Sequence, residues 1–396
     1  MAQINFTLDF EDVQGIIEQS GADELSKQLL TTIFNQLMEK QRDDYIGVGE
    51  YVRNSERVSH RNGYYERDFT TRIGTLELLV PRTRDGLFSP DLFQRYQRNE
   101  KALLSAMLEM CVQGVSTRKV SRIVEELCGK AISKSFVSSL TKELDEVVEA
   151  FLSYRFDCLY PFLMSDVIYI KVRENKRVIS KAFHIVLGIN EKGHRNVLGF
   201  SLHETESLES WKTLYEKLIE RGLKGVKLVI SDAQKGEVEA IKQCFVGASW
   251  QRCQVHFTRN ILDRLSKKNT TEIRNEIKAL FKITHGSAAR EYKNLLVEKY
   301  ASVYPSAIQT LEEGFEDAFQ YCMIEETSYS RLKSTNMLER VNEEIRRREK
   351  VIRIFPNNDS AIRLIGTLLI DIHEDWSSNQ RQYIRYTPET IDWLSM

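Results

Sequence analysis

The order of strand and helix signatures between residues 161 and 254 narrows the fold more than any other stretch. Residues 161–172 (PFLMSDVIYIKV), 181–189 (KAFHIVLGI) and 196–202 (NVLGFSL) are apolar runs of strand character. Gly188 and Gly193 mark the connections, which are short enough for an antiparallel meander. Residues 207–221 then carry Leu208, Trp211, Leu214, Tyr215 and Leu218 at helical spacing, and Gly222 stops the helix. A buried-type strand (226–231), a helix (237–244) and a last strand (249–254) follow. A meander succeeded by crossover helices predicts a mixed sheet in a multidomain α/β protein.

Asp166 lies inside the first of these strands and Asp232 at the end of the fourth. Side by side in one sheet they form an acidic site. A third carboxylate comes from residues 334–355 (STNMLERVNEEIRRREKVIRIF), which read as one helix with Ser334 or Thr335 at the N-cap and Pro356 beyond the end. Glu339 stands in its first turns, and Arg346 follows at i+7 on the same face. Arg347, Arg348, Lys350 and Arg353 extend the basic run. Alone, such a helix reads as solvated and salt-bridged. The upstream aspartates give it a second reading. Three carboxylates are hard oxygen ligands that suit Mg²⁺, with Mn²⁺ as the alternative. Two ions about 4 Å apart clamp the attacking and leaving oxygens of a phosphoryl displacement, so no Ser, Tyr or His nucleophile is needed. Asp166 is expected to bridge both ions, Asp232 to hold one and Glu339 the other. Arg340, Arg346 and Arg347 lie where they can grip phosphates beside such a metal site.

Cys253 and His256, in WQRCQVHFTRN, have the i, i+3 spacing of half a zinc site, but no matching second pair is visible. The pair reads as a buried thiol beside a structural histidine, or as support that orients part of the active site. His184 reads as a core residue and Trp211 as helix packing.

The chain before residue 151 has a different character. Residues 9–44 read helical, as an oligomerisation or DNA-contact element or as a plain amphipathic support. Residues 51–90 are arginine-rich, and Gly74 separates two alternating runs, YYERDFTTR and TLELLVPR, that predict a β-hairpin closed by Pro81. So small a hairpin must pack on something else, with DNA a candidate. Between 100 and 151, helices starting near Ser116 and Ser133 flank a Cys128-Gly129-Lys130 break, the second running through Val147. That is a helix-turn-helix pattern, and the first residues of its second helix are those that reach base edges. Arg118, Arg122, Lys134 and Ser135 are the candidate DNA contacts. Residues 257–330 are helical and highly charged, an all-α insertion before the Glu339 helix. An apolar helix at 359–375 should pack on the core, and the tail from 377 is less regular.

Composition adds few limits. The six cysteines are scattered without a CxxC pair, which suits a reducing cytoplasm and argues against a disulfide framework. No apolar run approaches the ~20 residues of a membrane span. The net charge of −1 neither suggests nor excludes nucleic acid, so the placement of arginines matters more than their total.

The segments NGYYER, GTLELLVPRTRDGLF, GVSTRKV, DVIYIKVRE, VISDAQKG, WQRCQVHFTRN and STNMLERVNEEIRRR, followed by RIFPN, resemble the Mutator-type bacterial insertion-sequence transposases over most of the chain. The resemblance implies a ribonuclease-H-like core with a DDE triad, Asp166, Asp232 and Glu339. It also matches a basic residue at Arg346, a Cys-x-x-His pair at Cys253 and His256, and a helical insertion before the glutamate. It further implies Mg²⁺-dependent cutting at terminal inverted repeats and transfer of 3′-OH ends to target DNA, in many relatives through a circular intermediate, in the bacterial cytoplasm at the nucleoid. Pairing two DNA ends requires at least two protomers, so a homodimer is expected in the synaptic complex. The expected division is an N-terminal helical segment (1–50), a hairpin region (51–97), a helix-turn-helix domain (98–151), the catalytic core (158–256 and 334–376), the insertion (257–333) and a tail (377–396). Two rival readings are a domesticated DNA-binding protein without transposition activity, which has no need of three carboxylates, and a metal-dependent nuclease or resolvase that only hydrolyses.

Overall fold

The computed structural model describes residues 22–49, 57–71, 74–93, 101–128, 132–266, 268, 270–323, 330–379 and 381–387. The expectations for residues 9–21, the 129–131 break and the last nine residues lie outside the described residues. The chain forms two compact units, Met1–Lys142 and Glu143–Met396.

In the first unit, helix α1 (Ala22–Ile46) precedes an antiparallel hairpin of β1 (Arg61–Thr71) and β2 (Gly74–Thr83). Alternation in β2 buries Leu76, Leu78 and Val80, which meet Met38 of α1, Phe69 and Phe93. The hairpin therefore buries its apolar face against its own N-terminal helix. Pro81 lies inside β2 rather than closing it, paired with Tyr64. A two-stranded sheet has only edge strands, where a proline is tolerated. Helices α2 (Lys101–Val112), α3 (Thr117–Cys128) and α4 (Lys134–Leu140) share a second core of Leu103, Met107, Val120, Val124, Val137 and Leu140. Ser133 caps α4, accepting from the Phe136 amide at 3.1 Å. The second helix of this pair does not run through Val147 as expected. It ends at Leu140, where a 3₁₀ turn, Thr141–Glu143, begins.

The second unit opens with α5 (Leu144–Ser153) and holds a five-stranded sheet of β3 (Phe162–Glu174), β4 (Arg177–Ile189), β5 (Arg195–His203), β6 (Leu228–Ser231) and β7 (Ser249–Arg252). Its order is β5-β4-β3-β6-β7. β4 runs antiparallel to both β3 and β5, β6 is parallel to β3, and β7 is parallel to β6. The predicted mixed sheet is present, with one connection differently made. The β3–β4 turn is Asn175-Lys176, both at positive φ (48° and 63°). This conformation suits a two-residue hairpin, and asparagine tolerates it. Gly188 lies within β4, where an added Cβ would meet Leu198 and Tyr160.

Both faces of this sheet are covered. Leu163, Val186, Leu198 and Val229 pack under α6 (Leu208–Glu220) and α7 (Lys235–Cys244) with Trp211, Leu214, Tyr215 and Ile241. The residues of opposite parity, Phe162, Met164, Ile168, Ile170, Leu228 and Ile230, face the other core, which runs into the helices after β7. Those are α8 (Gln254–Asp263), α9 (Thr271–Leu280), α10 (Gly286–Tyr300) and α11 (Pro305–Gly314), helices that begin three residues ahead of the stretch read as helical. Buried amides tie them to the sheet: Gln251 and Gln254 both donate to the Ala318 carbonyl, at 3.0 and 2.8 Å.

Helix α12 (Asn336–Ile352) ends where Arg353 takes a positive φ of 62°. The chain then pairs with the upper end of β3: the Phe355 amide donates to Lys171 and the Arg173 amide to Phe355. Helix α13 (Asn358–Ser378) is capped by Asn357 and holds α5 through a two-pronged Arg363–Asp145 pair at 2.6 and 2.7 Å. The tail beyond it is ordered by the β4–β5 turn. The amides of Tyr383 and Ile384 donate to the Gly193 carbonyl, and the Tyr386 hydroxyl donates to Asn190. Gly193 has a φ of +80°, and a Cβ there would lie 1.9 Å from the Ile384 carbonyl oxygen. Gly193→Ala is expected to cost at least about 1–2 kcal/mol from backbone conformation alone. The loss should appear as a lower urea midpoint and as faster proteolysis around 381–387.

Candidate active site

Strand register places the first two carboxylates. In the parallel pair β3/β6, Phe162 lies beside Leu228 and Met164 beside Ile230. The same offset sets Asp166 beside Asp232, and parity turns both toward the face covered by α12. Hydrogen bonding between the strands stops at Met164, so the aspartates stand where β3 and β6 part, at the carboxyl end of β6. β3 is also where the sheet reverses direction, with β4 on one side and β6 on the other. Crevices of this kind in α/β sheets are habitual ligand sites.

The third carboxylate arrives on α12, which is fastened on either side of it. Thr335 meets Cys253 through its hydroxyl (3.3 Å) and its amide (3.5 Å). One turn beyond Glu339, Asn342 Nδ2 donates to Asp166 Oδ2 at 2.7 Å. Glu339 stands four residues after Thr335 and three before Asn342, so all three share one face. Arg346 continues that face and is exposed. Glu339 is carried by the helix that bonds Asp166. Its carboxylate does not join Asp166 and Asp232 in a tight ligand group, because among the described residues the compact group is Asp232, Cys253 and His256, with ligand atoms within 4.8 Å of one another.

The electrostatics follow from crowding. Burial, and then the charge of Asp232, push Asp166 up to about 6, partly offset by hydrogen bonds from the Val167 amide and Asn342. His256 is pushed up to about 10 by Asp232 and by Cys253, so the imidazole is cationic at neutral pH. Its Nδ1 forms an ion pair with Asp232 Oδ1, and both buried atoms lack any other partner among the described residues. Burial pushes the Cys253 thiol up, but hydrogen bonds with His256 and Thr335 outweigh it and the net shift is downward. The Cys-x-x-His pair is therefore part of the acidic site. His256 supplies the counter-charge for Asp232, and Cys253 links that histidine to the start of α12.

Other candidates fall out differently. His184 is buried in β4 against Trp211 and bonded to Ser210, as a core histidine. Arg118, Lys134 and Ser135 are exposed on α3 and α4. Arg122 is exposed and lies 3.7 Å from Glu126, an i, i+4 surface pair. In the basic run, Arg347 and the buried Arg348 both pair with Glu344, at 3.2 and 2.7 Å, so this part of the run is salt-bridged as the plain reading of the helix expects. Sequence reading missed Asn342, although its i+3 spacing from Glu339 was available. It also missed Glu206 and Glu237, both raised by burial, with the charge of Asp232 contributing to each. Neither lies in a strand run that would have drawn attention.

The family described as Transposase, Mutator family, matches residues 1–379. This chain belongs to the Mutator family of transposases. It is 57% identical over 389 residues to the transposase for insertion sequence element IS256 in transposon Tn4001 of Staphylococcus aureus, covering 98% of this chain and 100% of that one. It is 41% identical over 355 residues to the transposase for insertion sequence element ISRM5 of Rhizobium meliloti, covering 90% and 89% of the two chains. Among solved structures, the Drosophila P element transposase strand transfer complex aligns over 74% of this chain and 84% of that one, with 14% identity and a TM-score of 0.32, too weak a likeness to bear on the fold. No helix among the described residues of this transposase is long and apolar enough to cross a membrane.

The raised carboxyl predicts a pH dependence. A folded-state pKa above the unfolded one means that the folded chain holds its proton more tightly. The cost of ionising Asp166 is absent below about pH 4 and complete above about pH 6. Asp166→Asn should therefore gain up to about 3 kcal/mol over wild type as pH rises through that range in metal-free urea titrations. His256, titrating near 10, does not change charge in that window. A constant difference between the two proteins across the window would disprove the coupling.

Proposed function

We propose that the second unit is a ribonuclease-H-like catalytic core that cleaves the ends of its insertion sequence to 3′-OH and joins them to DNA, using Asp166, Asp232 and Glu339 with Mg²⁺. The observation that carries this reading is the in-register placement of Asp166 beside Asp232 under the helix that bears Glu339. The mixed sheet, with its first three strands antiparallel in turn and the last two parallel to the first, supports this reading.

The donor set fits a hard divalent ion. Each Asp166 oxygen accepts one hydrogen bond, from Val167 and from Asn342, which leaves further lone pairs available. Asn342 Oδ1 is buried without a hydrogen-bond partner, and Asp232 Oδ1 is engaged by His256 alone. Such oxygens favour Mg²⁺ or Mn²⁺ over softer ions. When bound, the ion supplies Lewis acidity and neutralises charge building on a scissile phosphate. The chain's own residues do the rest. Asn342 fixes the orientation of Asp166, His256 steadies Asp232, and Arg346, two turns along from Glu339, offers a cation to the phosphodiester. Arg340 lies beside Glu339 at the start of the helix, and Arg347 is held by Glu344.

The first unit recognises transposon ends in this reading. The start of α4, with Lys134 and Ser135, enters the major groove, and Arg118 and Arg122 of α3 flank it. The finer division into a helical segment, hairpin region, helix-turn-helix domain, core, insertion and tail belongs to the same proposal. So do the homodimer that brings two ends together and the bacterial cytoplasm as its place of work. A DNA-binding protein without activity is disfavoured by Asp166, since a carboxyl held near pH 6 beside a second aspartate is costly without catalytic use.

Glu339→Gln should leave binding to terminal-repeat DNA unchanged in gel shifts. It should lower Mg²⁺-dependent strand nicking by a factor on the order of a hundred or more. Nicking at the wild-type rate would refute the triad. A precut 3′-OH end incubated with target DNA separates the transposase from a nuclease that only hydrolyses, because only the former joins the strands.

A further inference from the structure

Beside the start of α12, on the side facing the C-terminal segment, lies a cleft of about 420 Å³. Four arginines line it, Arg195 from β5, Arg331, Arg340 from α12 and Arg381, together with Trp376 and Tyr383. No carboxylate belongs to its lining. Arg331 donates to the Tyr383 carbonyl, and Arg195 feels the charge of Asp375 outside the lining, whereas no ion pair within 4 Å holds Arg195, Arg340 or Arg381 among the described residues. In a chain with a net charge of −1, so many cations gathered in one concavity favour an anionic occupant. The helix end adds to this. Ser334, Asn336 and Met337 also line the cleft, and Thr335 at the N-cap makes no side-chain bond to the first helical amides. Those amides and the helix dipole favour negative charge.

The walls say which anion. Arg195 stacks over Trp376 at 4.3 Å and lies 5.6 Å from the Tyr383 ring, which Arg331 approaches at 4.9 Å. Stacked guanidinium and aromatic planes are platforms for nucleobases, and free guanidinium edges bind phosphate. The volume falls within the range of about 300–1,000 Å³ that encloses a small ligand. A double helix is too broad to enter such a cleft, whereas one splayed nucleotide fits.

We propose that this arginine-lined cleft takes an unpaired nucleotide of a DNA strand, holding its phosphate on Arg195, Arg340 and Arg381 next to Glu339. The assignment rests on the reading of this unit as a DNA strand-transfer centre. It adds to it a place for the strand that separates from the duplex beside the cut. Arg340 joins the two: it follows Glu339 in the chain and points into the cleft.

The test is fluorescence anisotropy of the full chain in EDTA, with a labelled duplex carrying a short single-stranded extension and with the blunt duplex of the same sequence. Wild type should prefer the extended DNA. Arg381→Ala, at an exposed position, and Arg195→Gln should each weaken binding to the extended DNA about tenfold, while the blunt duplex is bound as before. The slope of log affinity against log salt should fall by about 0.7 for each guanidinium removed. Unchanged melting temperatures verify that both variants fold, and Arg381→Ala alone suffices if Arg195→Gln does not. Equal loss on both DNAs would assign the arginines to the duplex backbone and overturn the proposal, as would no loss at all. Displacement of the extended strand by free deoxynucleoside triphosphate at equal nucleotide concentration would overturn it in favour of a free nucleotide. Binding is read without a divalent ion, so this outcome is independent of the Glu339→Gln cleavage test.

Discussion

Two aspartates in register at the parting of two parallel strands are the constraint to which the rest of the second unit answers. Like charges so placed repel, and the half-buried setting of Asp166 weakens solvation of its charge. A stable fold must supply compensation nearby. Here it comes from two directions. The α12 side gives Asn342 to Asp166, and the α8 side gives a cationic His256 to Asp232. Remove either and the aspartates face each other with less to offset their repulsion.

The same requirement accounts for how α12 is held. Three attachments fix its path over the sheet: Thr335 on Cys253, Asn342 on Asp166, and Phe355 on the upper end of β3. The first belongs to the beginning of the insertion and the last to a strand-like extension. The position of Glu339 is therefore set by contacts before it, after it and beneath it. The insertion is not a detached appendage in this arrangement. Its buried amide links through Gln251 and Gln254 hold it to β7, and the Gln254 amide donates to Lys333 just ahead of α12. A helix separated from Asp232 by about a hundred residues is thereby returned to the aspartates on a rigid path.

Much of this was legible in the residues because it depends on short-range pattern. Alternation in 161–172 marked β3 and set the parity of Asp166, and the apolar run before Asp232 marked β6. Glu339 and Arg346 followed from helical spacing alone. What misled was local chemistry with more than one solution. Gly188 suggested a turn, but the hairpin turns at Asn175-Lys176, and the glycine serves a tight approach of Leu198 and Tyr160. In the first unit, the hairpin's need to pack is met by α1 on its apolar face. The tail is irregular as expected, and what holds it is the Gly193 carbonyl, nearly two hundred residues away.

The sequence by itself determined the order of strands and helices around the sheet, its mixed character and the family to which the chain belongs. These follow from periodicity and motif, which are properties of neighbouring residues. Only the tertiary structure decided that Cys253 and His256 belong to the acidic site, that Asn342 orients Asp166, that Arg347 and Arg348 are spent on Glu344, and that four distant arginines converge beside Glu339. Each of these depends on strand register and helix placement across long separations. A charge in a sequence carries no record of which other charge the fold will set beside it.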